Sequence, residues 1–234
     1  MNIIYPIRIN KYLAQKNYTT RTGADDLIKK GLVFINNKKA VLGDKINKDD
    51  IVTVSKKVTE KKYLYFAYNK KTGISTNPDN NAKDILQVAT FPTKVFPIGR
   101  LDKDSHGLII MTDDGRVTDR LLSPKYIHEK EYTVKVEPAF SDKFISLMGN
   151  GVHFDGFISK KCKVERKNKN TFHIILTEGK KRQIRRMCEA LHHEVLDLKR
   201  VRVMNINLDK IPLGGYREIK GEELNEFLKL LKLI

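Results

Sequence analysis

The chain carries 234 residues, 40% of them hydrophobic, enough for one large domain or for a small domain beside a medium one. Lys and Arg number 45 against 28 Asp and Glu, a net charge of +17, so the expected partner is polyanionic: nucleic acid first, an anionic membrane surface second. No run of about 18 apolar residues exists for a bilayer span, the N-terminus is too broken by Pro6, Arg8 and Lys11 for a signal peptide, and two cysteines, Cys162 and Cys188, fit neither a disulfide framework nor a zinc spacing.

In chain order, residues 1–56 read as a separable module with eleven basic and five acidic residues. Ile9, Tyr12 and Leu13 recur at i, i+3 and i+4, one face of a first helix. Thr20 is the predicted N-cap of a second helix, with Asp25 and Asp26 early, Lys29 and Lys30 late, and Gly31 closing it. Gly23 costs roughly 1 kcal/mol relative to Ala inside a helix, which predicts a late start. Residues 32–35 and 38–42 flank Asn36-Asn37 as a hairpin, and residues 51–54 add a short strand. Residues 57–62, rich in lysine, read as a linker to a larger domain at 63–234.

In that domain, residues 63–68 read as a strand, 69–73 as a turn, 77–83 as a polar loop and 84–88 as a short helix capped by Asp84. Residues 107–112 are a continuous apolar run, the pattern of a buried strand. Before it, Pro97 and Gly99 set off Gly99-Arg100-Leu101-Asp102, so Asp102 falls in a loop at a sheet edge. On spacing alone that loop reads equally as a mount for reactive groups or as a surface turn. Residues 116–122 read as a helix and 131–136 as a strand with Tyr132, Val134 and Val136 on one face. A helix over 141–148, capped by Ser141 and closed by Gly151, precedes strands at 161–166 and 172–177.

From Lys180 a second informative stretch begins. Ile184, Met187, Cys188 and Leu191 form one apolar helix face, and five basic residues near the helix start oppose its dipole. Charge so placed predicts a partner elsewhere. Residues 194–207 read as an extended apolar-basic run, 212–219 as a Gly-rich turn and strand, and 222–233 as a closing helix with Leu224, Phe227, Leu228 and Leu231 inward. Asp113-Asp114-Gly115 reads as a turn, His192-His193 lack partners, and Asp102 with Asp104 is spaced like a metal pair that has no third ligand.

The segment Pro97-Ile98-Gly99-Arg100-Leu101-Asp102-Lys103-Asp104-Ser105-His106-Gly107-Leu108 closely resembles the catalytic motif of RNA pseudouridine synthases, in the branch that modifies ribosomal RNA. The likeness covers nearly the whole chain. It implies an α+β fold: a small N-terminal S4-type RNA-binding domain, then a larger catalytic domain on a mainly antiparallel mixed sheet. It also implies isomerisation of a uridine to pseudouridine with no metal or cofactor. The glycosidic bond breaks, the base turns, and C5 joins C1′.

By that resemblance Asp102 is the essential carboxylate. Arg185, in Gln183-Ile184-Arg185, is its basic partner. Tyr132, in Glu131-Tyr132-Thr133, packs on the base and helps remove the C5 proton. Arg100 is expected to occupy the space the target base vacates. Lys70, Leu176 and Gln183 are expected to bind substrate, with Ile175 beside Leu176 in an apolar wall. Lys71 stands where the family usually has proline, so its turn is expected to be looser. RNA contacts are expected from Arg8, Lys11, Arg21, Lys29 and Lys38 in the module, and from Lys180, Lys181, Arg182 and Arg186 in the second stretch. The partner is then RNA, ribosomal first and transfer RNA second, with no membrane, and the protein a cytoplasmic monomer. Two other readings stand beside this one: a non-catalytic RNA-binding or ribosome-assembly factor, and a metal-dependent nuclease built on Asp102 and Asp104.

Overall fold

The computed structural model describes residues 3–16, 18–55, 62–78, 82–123 and 125–234. The N-terminal part runs β1 (Ile7–Arg8), α1 (Ile9–Gln15), α2 (Arg21–Lys29), β2 (Val33–Ile35), β3 (Lys38–Lys39), β4 (Lys45–Ile46) and β5 (Val52–Val54). Ile9 and Leu13 of α1 and Ala24 and Ile28 of α2 are buried with Ile7, Val33, Ala40 and Ile46, a core built only from this part of the chain. Asn36 and Asn37 take left-handed φ of 48° and 65° between β2 and β3, the backbone a tight hairpin requires. The Thr20 hydroxyl accepts from Gly23 N–H at 3.0 Å, so α2 starts at Arg21 and not late. A Cβ on Gly23 would stand 2.3 Å from Thr19 Oγ1, so the glycine is the residue that lets this helix begin here. Gly31 follows α2 at φ +65°, with Gly31 N–H donating to Ile28 O and Leu32 N–H to Leu27 O, a Schellman ending.

The remainder runs β6 (Tyr65–Lys70), α3 (Ile85–Val88), β7 (Phe96–Ile98), β8 (His106–Thr112), α4 (Arg116–Leu122), β9 (Lys130–Glu137), α5 (Asp142–Asn150), β10 (His153–Phe154), β11 (Phe157–Ile158), β12 (Lys163–Arg166), β13 (Thr171–Leu176), α6 (Gln183–Ala190), β14 (Glu194–Val203), β15 (Ile206–Asn207), β16 (Tyr216–Glu218) and α7 (Gly221–Leu230). One large sheet has the order β12-β13-β9-β14-β8-β6-β16, with β7 on β8 and β15 on β14. Its pairs are antiparallel except β14 with β8. The fold is thus mixed α and β on a mainly antiparallel sheet. β6 and β8 are covered on both faces: Tyr65, Ala67, Leu108 and Ile110 pack with Phe227 of α7, while Phe66, Tyr68, Ile109 and Met111 pack with Ile85. That double burial is why residues 107–112 read as an unbroken apolar run.

Several boundaries differ from the sequence reading. Asn69 and Lys70 continue β6 and do not turn; the turn begins after them. Pro97 sits inside β7, tolerated because β7 pairs on one side only. Ser141 occupies the N-cap of α5 without a side-chain hydrogen bond. Asp114 is more than a turn residue: it is fully buried, accepts from the Tyr65 hydroxyl at 2.5 Å, and takes the Arg116 guanidinium at 2.7 Å. Only Lys62 of the predicted linker at 57–62 lies within the described residues, and residues 79–81 of the predicted loop lie outside them. No helix among the described residues is long and apolar enough to cross a membrane.

Candidate active site

β7 and β8 are consecutive antiparallel strands, Ile98 opposite Ile110, and the loop between them carries residues 99–105. Gly99 enters the loop at φ +77°, and Ser105 N–H donates to Asp102 O at 3.0 Å to close its turn. Thr76 staples the loop from outside: Leu101 N–H donates to its hydroxyl at 3.0 Å, and that hydroxyl lies 2.7 Å from Leu101 O as donor. Leu101 itself is buried. Buried hydrogen bonds of this kind contribute about 0.5–1.5 kcal/mol each, so the staple holds the backbone beside Asp102 without touching its carboxylate.

A cleft of about 880 Å³ opens where this loop faces β9, β14 and the segment before α6. Asp102 and Arg100 line it from the loop, Tyr132 and Lys130 from β9, Leu176 from β13, and Arg200 from β14. Lys160, Lys180, Lys181 and Arg182 border it as well. Tyr132 stands opposite Arg200 in the β9–β14 register and opposite Ile174 on β13. Arg200 is buried, and its Nε donates to Leu108 O at 2.7 Å while Nη1 reaches Arg100 O at 3.4 Å. Burial and the nearby Arg200 charge both lower the Lys130 pKa. Ser105 Oγ, buried against the same cleft, has no hydrogen-bond partner among the described residues.

Comparison with known proteins agrees with this geometry. A family profile described as RNA pseudouridylate synthase matches residues 46–190. The chain belongs to the RNA pseudouridylate synthase family. It is 42% identical over 231 residues to a Shigella flexneri protein named dual-specificity RNA pseudouridine synthase RluF, covering 97% of this chain and 80% of that one. It is 33% identical over 234 residues to ribosomal large subunit pseudouridine synthase B of Bacillus subtilis, covering 95% and 96%. A crystal structure of a pseudouridylate synthase superposes with TM-score 0.68 at 26% identity, over 97% of this chain and all of that one.

Within this pseudouridine synthase the predicted site residues part company. Asp102, Tyr132, Arg100, Leu176, Gln183, Lys180, Lys181 and Arg182 all line the cleft. Arg185 does not pair with Asp102. Its Nε lies 3.2 Å from Asp104 Oδ2 without hydrogen-bond alignment, and its Nη2 and Nη1 donate to Asp104 O and Val195 O, each at 2.9 Å. Arg182 joins the same carboxylate at 2.9 Å. The reason is local: α6 begins only at Gln183, and Arg182, left-handed at φ 54°, turns the basic run toward Asp104. No ion pair or hydrogen bond to the Asp102 carboxylate exists among the described residues.

Lys70, expected to bind substrate, is completely buried and donates to Lys71 O at 3.0 Å and Ile74 O at 2.7 Å. Burial lowers its pKa to about 8, opposed by the attraction of Asp104 and Asp102. Its ammonium is therefore taken up by backbone carbonyls, and it does not line the cleft. Gln183 reaches the cleft with both polar ends engaged: its Nε2 donates to Glu178 at 2.6 Å and its Oε1 accepts from Lys180 N–H at 3.0 Å. Arg186 is committed elsewhere, paired with Asp155 at 2.7 Å and lying over the Phe154 ring at 5.0 Å. Ile175 points away from the cleft that Leu176 lines, as strand alternation requires. Arg8, Lys11, Arg21, Lys29 and Lys38 are exposed on the N-terminal part. Sequence reasoning missed Thr76, Lys130, Ser105 and Arg200. Of these only Arg200 left a trace, as one of the basic residues in the apolar-basic run at 194–207.

Proposed function

We propose that this RNA pseudouridine synthase acts on large-subunit ribosomal RNA, with Asp102 as the catalytic carboxylate. The observation that carries this reading is the convergence of Asp102 and Tyr132, from separate parts of the sheet, on one cleft bordered by basic side chains. Its volume falls within the range of about 300–1,000 Å³ typical of small-ligand sites, suitable for one nucleotide drawn out of its stack. Leu176 and the Tyr132 ring hold the base, and the carboxylate of Asp102 acts at the sugar as nucleophile or as stabiliser of positive charge. After C5 has joined C1′, the Tyr132 hydroxyl helps carry off the C5 proton. Arg100, exposed at the mouth, supplies a flat guanidinium for the vacated space.

Residues 1–56 act as an S4-type RNA-binding domain through Arg8, Lys11, Arg21, Lys29 and Lys38. Residues 57–62 link it to the catalytic domain at 63–234. The protein works as a cytoplasmic monomer. Arg185 serves by holding Asp104, and so the loop, in place of pairing with Asp102. The nuclease reading loses support because the Asp104 carboxylate is taken up by Arg182 and Arg185. Asp102→Asn should lower tritium release from ribosomal RNA labelled at uridine C5 by more than about a thousandfold while RNA binding survives. Turnover within tenfold of wild type would remove Asp102 from this role, and transfer RNA is the second substrate to assay.

A further inference from the structure

Asp102 borders two hollows. Besides the cleft that Tyr132 lines, a shallow groove of about 500 Å³ is lined by Thr72, Gly73, Asp102, Lys103, Asp104, Lys181 and Arg182. Its floor is fixed. Gly73 N–H donates to Lys103 O at 2.7 Å, and the buried Lys70 ammonium ties Lys71 O and Ile74 O on either side of that turn. Gly73 stands at φ +84° with open space where a Cβ would point. The cations of the wall differ in availability. Arg182 is neutralised by Asp104 at 2.9 Å. Lys103 and Lys181 are exposed and make no ion pair or side-chain hydrogen bond among the described residues.

We propose that this groove seats a phosphodiester flanking the target uridine, neutralised by Lys103 and Lys181. The inference rests on the reading that Asp102 acts at the target sugar. If the base occupies the larger cleft and C1′ lies at Asp102, the backbone on at least one side of that nucleotide must pass across the loop. Asp102, Lys181 and Arg182 line both hollows, so one strand crosses from one to the other along the same wall. A phosphate has the opposite charge to the two unpaired lysines. The acids at the groove favour a diester held by its rim over a free anion drawn into its depth: Asp104 is already balanced by arginine, and Asp102 must stay accessible to the sugar.

The test uses the full chain and a short large-subunit ribosomal RNA hairpin, labelled with tritium at C5 of its target, that carries the uridine found by comparing pseudouridine maps with and without this protein. Affinity is measured against salt in an Asp102→Asn background. Lys103→Met and Lys181→Met should each lower the slope of log affinity against log salt by roughly 0.7–0.9, the loss of one phosphate contact. Lys103→Arg should keep the slope, and so should Lys229→Met on the exposed face of α7. A neutral methylphosphonate at one of the two flanking linkages should reproduce the Lys103→Met loss and add nothing to it. Wild-type slopes in both methionine variants, an equal fall in Lys229→Met, or additive penalties from Lys103→Met and both methylphosphonates would overturn the proposal. Tritium release by the otherwise wild-type chain is followed in parallel. Release together with unchanged slopes overturns the groove alone, whereas no release overturns the functional reading beneath it.

Discussion

Lys70 illustrates how a residue's part in the site is set by burial. Its place in the chain marked it as a ligand-binding lysine, yet its ammonium is enclosed and satisfied by two backbone carbonyls. Desolvation brings its pKa from 10.5 to about 8. Between those values the unfolded chain holds a proton that the folded chain has released, so this residue's contribution to stability rises with pH across the window and is constant below about 8. Lys70→Met removes the effect. The stability of wild type relative to Lys70→Met should therefore improve from pH 7 to pH 10, by up to a few kcal/mol at about 1.36 kcal/mol per pKa unit. Denaturant midpoints for both chains at the two pH values test this, and a constant difference would mean that Lys70 does not titrate in that range. Asp102 is a contrasting case. Its motif was legible, but its neighbours were not, because Thr76 and Arg200 reach the loop from 25 and 100 residues away in sequence.

At the scale of elements, the parallel contact between β8 and β14 decides where the loop that carries Asp102 ends. Gly107, at φ +103°, opposes Arg200, and a Cβ there would stand 2.3 Å from Arg200 O and 2.8 Å from Arg200 N. Neither atom can yield without moving the backbone of β14. Gly107→Ala should then cost several kcal/mol by forced backbone strain and displacement, and turnover should fall with it, because Arg200 and Asp102 hang from the two strands that would part. Thermal denaturation beside tritium release checks both effects; a variant with wild-type melting and turnover would show that the pair tolerates the methyl. The strands themselves were legible: alternation marked β9, and the unbroken apolar run marked β8. The parallel pairing was not, since it joins residues about 90 positions apart through no local pattern. The start of α6 was misread for a related reason: Arg182, left-handed at φ 54°, pairs with Asp104 from 78 positions away.

For the whole molecule, the N-terminal part has its own core, and two contacts link it to the rest among the described residues. The Thr19 and Tyr63 hydroxyls lie 3.4 Å apart, and Thr20 stands beside Gly115. Deleting residues 1–56 should leave the large sheet folded, with a melting temperature lowered by only a few degrees, since no buried residue of its core clusters is removed. RNA affinity should weaken and its salt dependence become shallower, because eleven of the chain's basic residues leave with the module. Circular dichroism and salt-dependent binding give the two readouts; an unchanged salt slope would deny the module a part in RNA binding.

By itself the sequence determined the family, the positions of most helices and strands, and the loop that carries Asp102. These follow from short-range regularities: periodic burial, helix caps, and a contiguous motif. The tertiary structure alone decided the partners. It gave Arg185 and Arg182 to Asp104, buried Lys70, and brought Arg200 opposite Tyr132. Charge pairing and desolvation depend on distances between chain segments far apart in sequence. A one-dimensional pattern records which charges exist, but only the folded sheet fixes which of them meet.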